Sequence, residues 1–502
     1  MPITRSAPSR SEPAANPLAP AQAVLISAAI VVAWALWAAF FNSAQFGDNI
    51  EQFNWAQSLE LGYHKHPPLP SWILGAAIRL FGSSIYWAYG LATLSLLGTL
   101  AFTWLIGREL LGARLAAAAC VLWGLNMSFS LRAQLYNHNT VLVLCIAATV
   151  WFAMRASRGG AVWWLATGVA AGAAMLSKYQ AAVPLAGLVL ALVASGRMRG
   201  AAQWRGLGGA FVLMLLVCAP HAVWVVRHDF STLRYASEAV ESSGLPARLG
   251  FVASFFANQV RLEFPALLAV VVCWGLARRR RTAAAPAATR SDAEIAPDLP
   301  AWMLGLVWSG LLVLVAMALL GGVSLRNHWG VQTLQFLPLW LVWRWERAAL
   351  LDLRRLVWVA LCVQGLSLAF YAYEHSDPRA ALSSRRNDTM YPAQRLAEAA
   401  QAHWAASTAC SARYVAGTNF DAGLVALYAA HKMEVFESAV ATPWVSRDDV
   451  ERRGALYVLD TGDAVPQGVT NVVTFDLVPG TKPGPDARFI RLGVQMPVGP
   501  CP

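Results

Sequence analysis

Asp48 and Glu51 are the first carboxylates after Glu12, and the block Tyr63-His64-Lys65-His66-Pro67-Pro68 follows them closely. On a helix over 48–59 the i, i+3 spacing puts both acids on one face. The prolines keep the block after it extended. A carboxylate suits removal of a proton from an attacking hydroxyl, and ammonium or imidazole groups, or a divalent metal, suit a departing anion. The competing structural reading is a helix start in which Asp48 caps and Glu51 completes a capping box. The cluster follows directly on the apolar run Ala23–Phe41, however, and ionisable groups held at a membrane edge are costly enough to be functional by default. Asp48 is therefore the general-base candidate, with Glu51 supporting it or binding a metal.

Three further polar stretches interrupt apolar runs. Arg132-Ala-Gln-Leu-Tyr-Asn137-His138-Asn139 offers sugar or phosphate contacts, or is a polar turn with a snorkelling arginine. Lys178 stands between two apolar runs with no acidic neighbour, so a phosphate partner competes with simple snorkelling to the interface. Arg326-Asn-His328-Trp329 is the third. Lys65, His66, Arg132, Lys178 and Arg326 form the candidate phosphate-binding set, and His64, Asn137, His138, Asn139 and His328 the candidate substrate contacts.

Of the 502 residues 57% are hydrophobic and only 13% charged, which fits a polytopic, mainly α-helical membrane protein. About eleven runs are candidates for transmembrane helices: Ala23–Phe41, Tyr86–Ile106, Leu115–Leu131, Thr140–Met154, Val162–Met175, Ala181–Ala194, Leu207–Val226, Leu262–Ala277, Trp302–Leu320, Val331–Trp343 and Leu356–Tyr373. With the N-terminus inside, eighteen Lys/Arg fall in inner loops and nine in outer ones, so the net charge of +11 records topology rather than a nucleic-acid partner. An odd number of spans then sends the C-terminus outside. Residues 1–22 read as a disordered cytoplasmic N-terminus, 23–373 as the membrane domain with an outer catalytic loop over 42–84, and 278–300 as a cytoplasmic linker. After Tyr373 short apolar segments alternate with charge, predicting a small α/β extracytoplasmic domain over 374–502. Its Cys410 and Cys501 are disulfide candidates if that compartment is oxidising.

The Asp-x-x-Glu pair and Gly62-Tyr-His-Lys-His-Pro-Pro-Leu-Pro-Ser-Trp72 together resemble the outer-loop signature of the GT-C integral-membrane glycosyltransferases. The bacterial branch related to protein O-mannosyltransferases and aminoarabinose transferases is the most similar. The resemblance implies a GT-C-like fold and transfer of a sugar, with inversion, from a polyprenyl-phosphate-linked donor to an extracytoplasmic lipid, glycan or protein. It also implies a bacterial inner-membrane location and Asp48 as the base. The family's neighbouring Glu is Asn49 here, and Lys65 replaces the acid that helps hold a metal in the aminoarabinose branch, so metal use and the identity of any cofactor stay open. A transporter or flippase is the contrasting reading. It predicts ionisable groups near mid-membrane and related halves, which these runs lack.

Overall fold

The computed structural model describes residues 18–238, 244–281, 295–347, 351–376, 388–438, 440–477 and 489–499. Helix α1 (Pro20–Phe41) leads into two short helices, α2 (Gly47–Trp55) and α3 (Leu69–Phe81). There follow α4 (Trp87–Leu125), α5 (His138–Arg158), α6 (Ala161–Ser177), α7 (Ala182–Ala194), α8 (Ala201–Arg227), α9 (Ser231–Ser237) and α10 (Leu245–Arg281). A π-helical segment (Leu304–Trp308) joins α11 (Leu299–Met303) to α12 (Ser309–Gly321). Then come α13 (Trp329–Leu334), α14 (Leu337–Arg347) and α15 (Leu353–Ser376).

Counting the continuous stretch from α11 to α12 as one, seven of these helices are long and apolar enough to cross a membrane. They present large apolar side chains outward, such as Phe40, Leu320 and Leu366, as lipid-facing surfaces do. Helix α4 contains two of the expected runs. Gly112 takes φ +76°, and a Cβ on Gly107 would stand 3.0 Å from that of Ala116. Residues nine apart in a straight helix are about 13 Å apart, so the chain reverses at Gly112 into antiparallel arms 87–111 and 113–125. The expected span over 331–343 is instead divided between α13 and α14, and the helix expected over 48–59 stops at Trp55. The expected count of about eleven therefore leans on short segments: α6 and α7 are apolar but shorter than the seven long helices.

Polar turns gather at two ends of the bundle. At one end Glu109 bridges Arg158 and Arg197 at 2.9 Å each, Arg197 reaches Asp298 at 2.8 Å, and Arg114 pairs with Glu346. The other end holds α2, α3, the 126–137 turn, Lys178 and the 322–328 segment. The C-terminal domain sits on that end.

That domain carries α16 (Ala393–Ser407), β1 (Tyr414–Gly417), α17 (Asn419–Tyr428), β2 (Glu434–Phe436), α18 (Arg447–Arg453), β3 (Ala455–Asp460), β4 (Val469–Asp476) and β5 (Phe489–Gln495). The sheet order is β2-β1-β3-β5-β4, parallel from β2 to β3 and antiparallel thereafter. Alternation sends Val415, Leu456 and Val458 to one face, in a core shared with Leu396 and Val425. Tyr414, Ala416 and Ala455 go to the other face, against Val445 and Val450. The short apolar segments 412–416, 455–459, 472–475 and 489–492 fall on β1, β3, β4 and β5, and the three-residue β2 is too short to show as a periodic run.

Candidate active site

Asp48 lies in the first turn of α2 and is exposed. Asn137 Nδ2 donates to Asp48 Oδ2 at 2.7 Å. The Asn137 Oδ1 accepts from the Asn139 and Thr140 amides at 2.9 and 3.1 Å, so one side chain caps α5 and orients the carboxylate. Asp48 does not cap its own helix. The N-cap position is Phe46, and the Gly47 amide donates to Asp388 Oδ2 of the C-terminal domain at 3.0 Å. The capping-box reading of Asp48 and Glu51 therefore gives way.

One turn on, Lys65 Nζ donates to Glu51 Oε1 at 2.6 Å, with the side chains 29% and 14% exposed. Burial pushes the Glu51 carboxyl up to about 6; Lys65 opposes this, while Asp48 and Glu437 add to it. Trp55 anchors the histidine–proline block. Tyr63 stacks on it at 4.9 Å, and the rings of His64, His66 and His138 meet its edges at 5.7, 6.2 and 5.6 Å. His66 and His138 lie 4.2 Å apart, and Tyr235 closes over His66 at 5.5 Å. Burial, then His138, Lys178, Lys65 and His328, hold His66 well below the usual imidazole range. Its neutral form is thereby favoured.

Lys178 is the C-cap of α6 and is buried. Its ammonium donates to Asn139 Oδ1 at 2.9 Å. Burial lowers it to about 8 against the opposing pull of Asp48. His328 at the rim is held well below its usual range by the protein around it and by Lys178, Arg326 and Arg132. Arg132 is itself lowered by desolvation and by Arg261, and Asp48 opposes. The fold thus gathers Asp48, Glu51, Lys65, His66, Asn137, His138, Asn139 and Lys178, with Arg132, Arg326 and His328 around them. His64 stands apart on the Trp55 edge, lowered to about 4 by burial and by Lys65. Cys410 is disulfide-bonded in the C-terminal domain, and Cys501 lies outside the described residues.

Among the described residues no three His, Cys, Asp or Glu side chains converge as metal ligands, and the Lys65 ammonium already occupies Glu51. The residues present do not fit a metal, so no step is assigned to one. Sequence reasoning missed Gln52, whose Nε2 lies 3.5 Å from His138 Nδ1, as well as Trp55, Tyr235, Arg261 and Glu437. Gln52 and Trp55 share the Asp48 face of α2 and were findable by helical periodicity. Glu437 carries no local signal, because only the tertiary fold brings it near Glu51 and Lys65.

Residues 65–224 match the family described as dolichyl-phosphate-mannose-protein mannosyltransferase. The lipid A galacturonosyltransferase RgtD of Rhizobium johnstonii is 24% identical over 261 residues, which is 50% of this chain and 54% of that protein. The lipopolysaccharide core galacturonosyltransferase RgtA of the same organism is 27% identical, over 60% of each chain. The chain thus spans a little over half the length of these relatives. Crystal structures of ArnT from Cupriavidus metallidurans, bound to undecaprenyl phosphate and in the apo state, align over 95% of this chain. They are covered over 99% and 98% of their own length, with TM-scores of 0.56 and 0.52. At 15% identity the likeness is one of fold.

Proposed function

We propose that this chain, of the GT-C type and related to the protein mannosyltransferases and ArnT, transfers a sugar from a polyprenyl-phosphate donor to an extracytoplasmic acceptor. The observation that carries the reading is an exposed carboxylate, Asp48, aimed by Asn137 and facing the buried ammonium of Lys178. Asp48 takes the proton of the acceptor hydroxyl as its oxygen bonds to the anomeric carbon. The bond from that carbon to the phosphate oxygen breaks on the opposite side, giving inversion. The leaving polyprenyl phosphate gains negative charge, which Lys178, Arg132 and Arg326 stabilise. Lys65 holds Glu51 in place beside the base.

The donor sugar is read as a uronic acid. Arg132, Arg261 and Arg326 are exposed and have no ion-pair partner among the described residues, which is more positive charge than one phosphodiester requires. The relatives named above are galacturonosyltransferases, in keeping with a carboxylate on the sugar. The site end of the bundle and the C-terminal domain are read as facing the periplasm, with the N-terminus in the cytoplasm and the whole in a bacterial inner membrane. The acceptor is a lipid, glycan or protein of that compartment.

Asp48→Asn in purified, lipid-embedded protein tests the base. Turnover falls by about 10²–10⁴-fold while undecaprenyl phosphate still binds. Near-normal turnover would remove Asp48 from this role.

A further inference from the structure

The helix that carries Asp48 and Glu51 has only nine residues, and helices so short do not persist without tertiary support. One side of it is tied to the membrane domain: Asn49 Nδ2 donates to Gln134 O at 3.2 Å, and the Tyr136 amide donates to Asn49 Oδ1 at 2.7 Å. Its site face is held by Lys65 on Glu51, Asn137 on Asp48, Ser71 on Gln52 and the rings around Trp55, and a third set of contacts comes from beyond the last long apolar helix. The Ser43 and Ala44 amides donate to Thr389 O at 2.8 and 3.1 Å, which pins the approach to the helix. Asp388 Oδ2 accepts from the Gly47 amide at 3.0 Å, supplying the N-terminal cap that the sequence of α2 itself lacks. Asn54 Nδ2 donates to Asn419 O at 2.9 Å, and the Val435 amide of β2 donates to Gln57 Oε1 at 3.0 Å. Ile50 and Ala44 are fully buried within the hydrophobic core of the C-terminal domain. Gly423 of α17 lies directly against α2: a Cβ there would stand 2.3 Å from Ile50 Cγ2 and 2.8 Å from Asn54 Nδ2.

We propose that the C-terminal domain is a positioning element of the catalytic helix, with Asp388 fixing its first turn and Gly423 its distance from α17. The inference rests on Asp48 being the base. Neither Asp388 nor Gly423 reaches the reacting atoms. Both act through α2, whose Asp48 face points away from α17 toward Asn137 and Lys178. The domain is then a working part of the transferase rather than an appended binding module. Misplacement of a base by about 1 Å costs on the order of a hundredfold in rate.

The test uses the full-length protein in four variants: Asp388→Ala, Asp388→Asn, Gly423→Ala and Asp48→Asn. Each is expressed in a strain lacking the native copy, and the polyprenyl-phosphate sugar pool is read by mass spectrometry. Each is also purified for thermal unfolding and for binding of undecaprenyl phosphate in nanodiscs. Asp388→Ala and Gly423→Ala are expected to cut turnover about ten- to a hundredfold, so the lipid-linked sugar accumulates. Their undecaprenyl phosphate affinity stays within about twofold of wild type, because that site lies on the other face of α2. Asp388→Asn keeps an oxygen acceptor for the Gly47 amide and restores turnover. The inference is overturned if both alanine variants turn over normally while Asp48→Asn accumulates donor. It is equally overturned if they lose stability and phosphate binding in proportion to turnover, which is what a merely structural role does. If Asp48→Asn itself leaves the pool unchanged, the transferase reading fails instead.

Discussion

At the residue scale two groups set the pH response, each shifted toward neutrality by burial. Glu51 is protonated below about 6, where it no longer attracts Lys65 or supports Asp48. Lys178 loses its proton above about 8, and with it the attraction for an anionic donor. A bell-shaped rate profile follows, with an acid limb near 6 and an alkaline limb near 8. Lys178→Arg keeps its charge at any working pH and should abolish the alkaline limb. A limb that persists in that variant assigns it to another group. Arg132→Gln removes one charged contact to phosphate and should weaken undecaprenyl phosphate binding about tenfold or more, measured in nanodiscs. These side chains were legible because their sequence motifs are local: an acid pair, a histidine–proline block and lone cations between apolar runs. Asp388 and Glu437 were not, since each meets α2 only through the tertiary fold.

At the element scale, glycines set how closely the helices approach. A Cβ on Gly187 of α7 would stand 2.2 Å from Gly305 O in the π-helical segment, and one on Gly305 would stand 2.3 Å from Gly187 O. Gly187→Val should therefore cost about 1–3 kcal/mol or more through overpacking, read as a fall in Tm. An unchanged Tm contradicts that packing. The apolar runs announced most helices because a lipid-facing helix needs length and apolarity, both visible in the sequence. They did not announce where α2 ends, at Trp55 rather than at residue 59. The reversal within residues 87–125 was legible as two separate apolar runs, 86–106 and 115–131; that the turn between them narrows to the positive φ of Gly112 was not.

Across the whole molecule, one end of the bundle is knitted by ion pairs around Glu109 and Arg197, and the other bears the site and the C-terminal domain. At the Glu109 end, Arg108, Arg155, Arg278 and Arg344 each lie over the tryptophan four residues earlier, at 3.8–5.8 Å. Such Trp–Arg pairs suit a cytoplasmic interface. Alkaline phosphatase fused after the C-terminal domain should accordingly be active, and the same enzyme inserted in the linker near residue 290 inactive. The reverse pattern inverts the orientation. Fold class follows from composition, which acts over the whole chain, and the proposed outward placement of the C-terminal domain rests on charge bias. That this domain clamps the catalytic helix follows only from how its core encloses Ile50.

The most direct test of the central claim is lipid mass spectrometry on membranes from a strain lacking this protein, complemented with wild type or with Asp48→Asn. One polyprenyl-phosphate sugar is expected to accumulate in the null and in the Asp48→Asn strain to the same extent and to disappear with wild type, its mass matching a uronic acid. An unchanged lipid pool, with altered uptake or export of a solute, contradicts the transferase and favours a transporter.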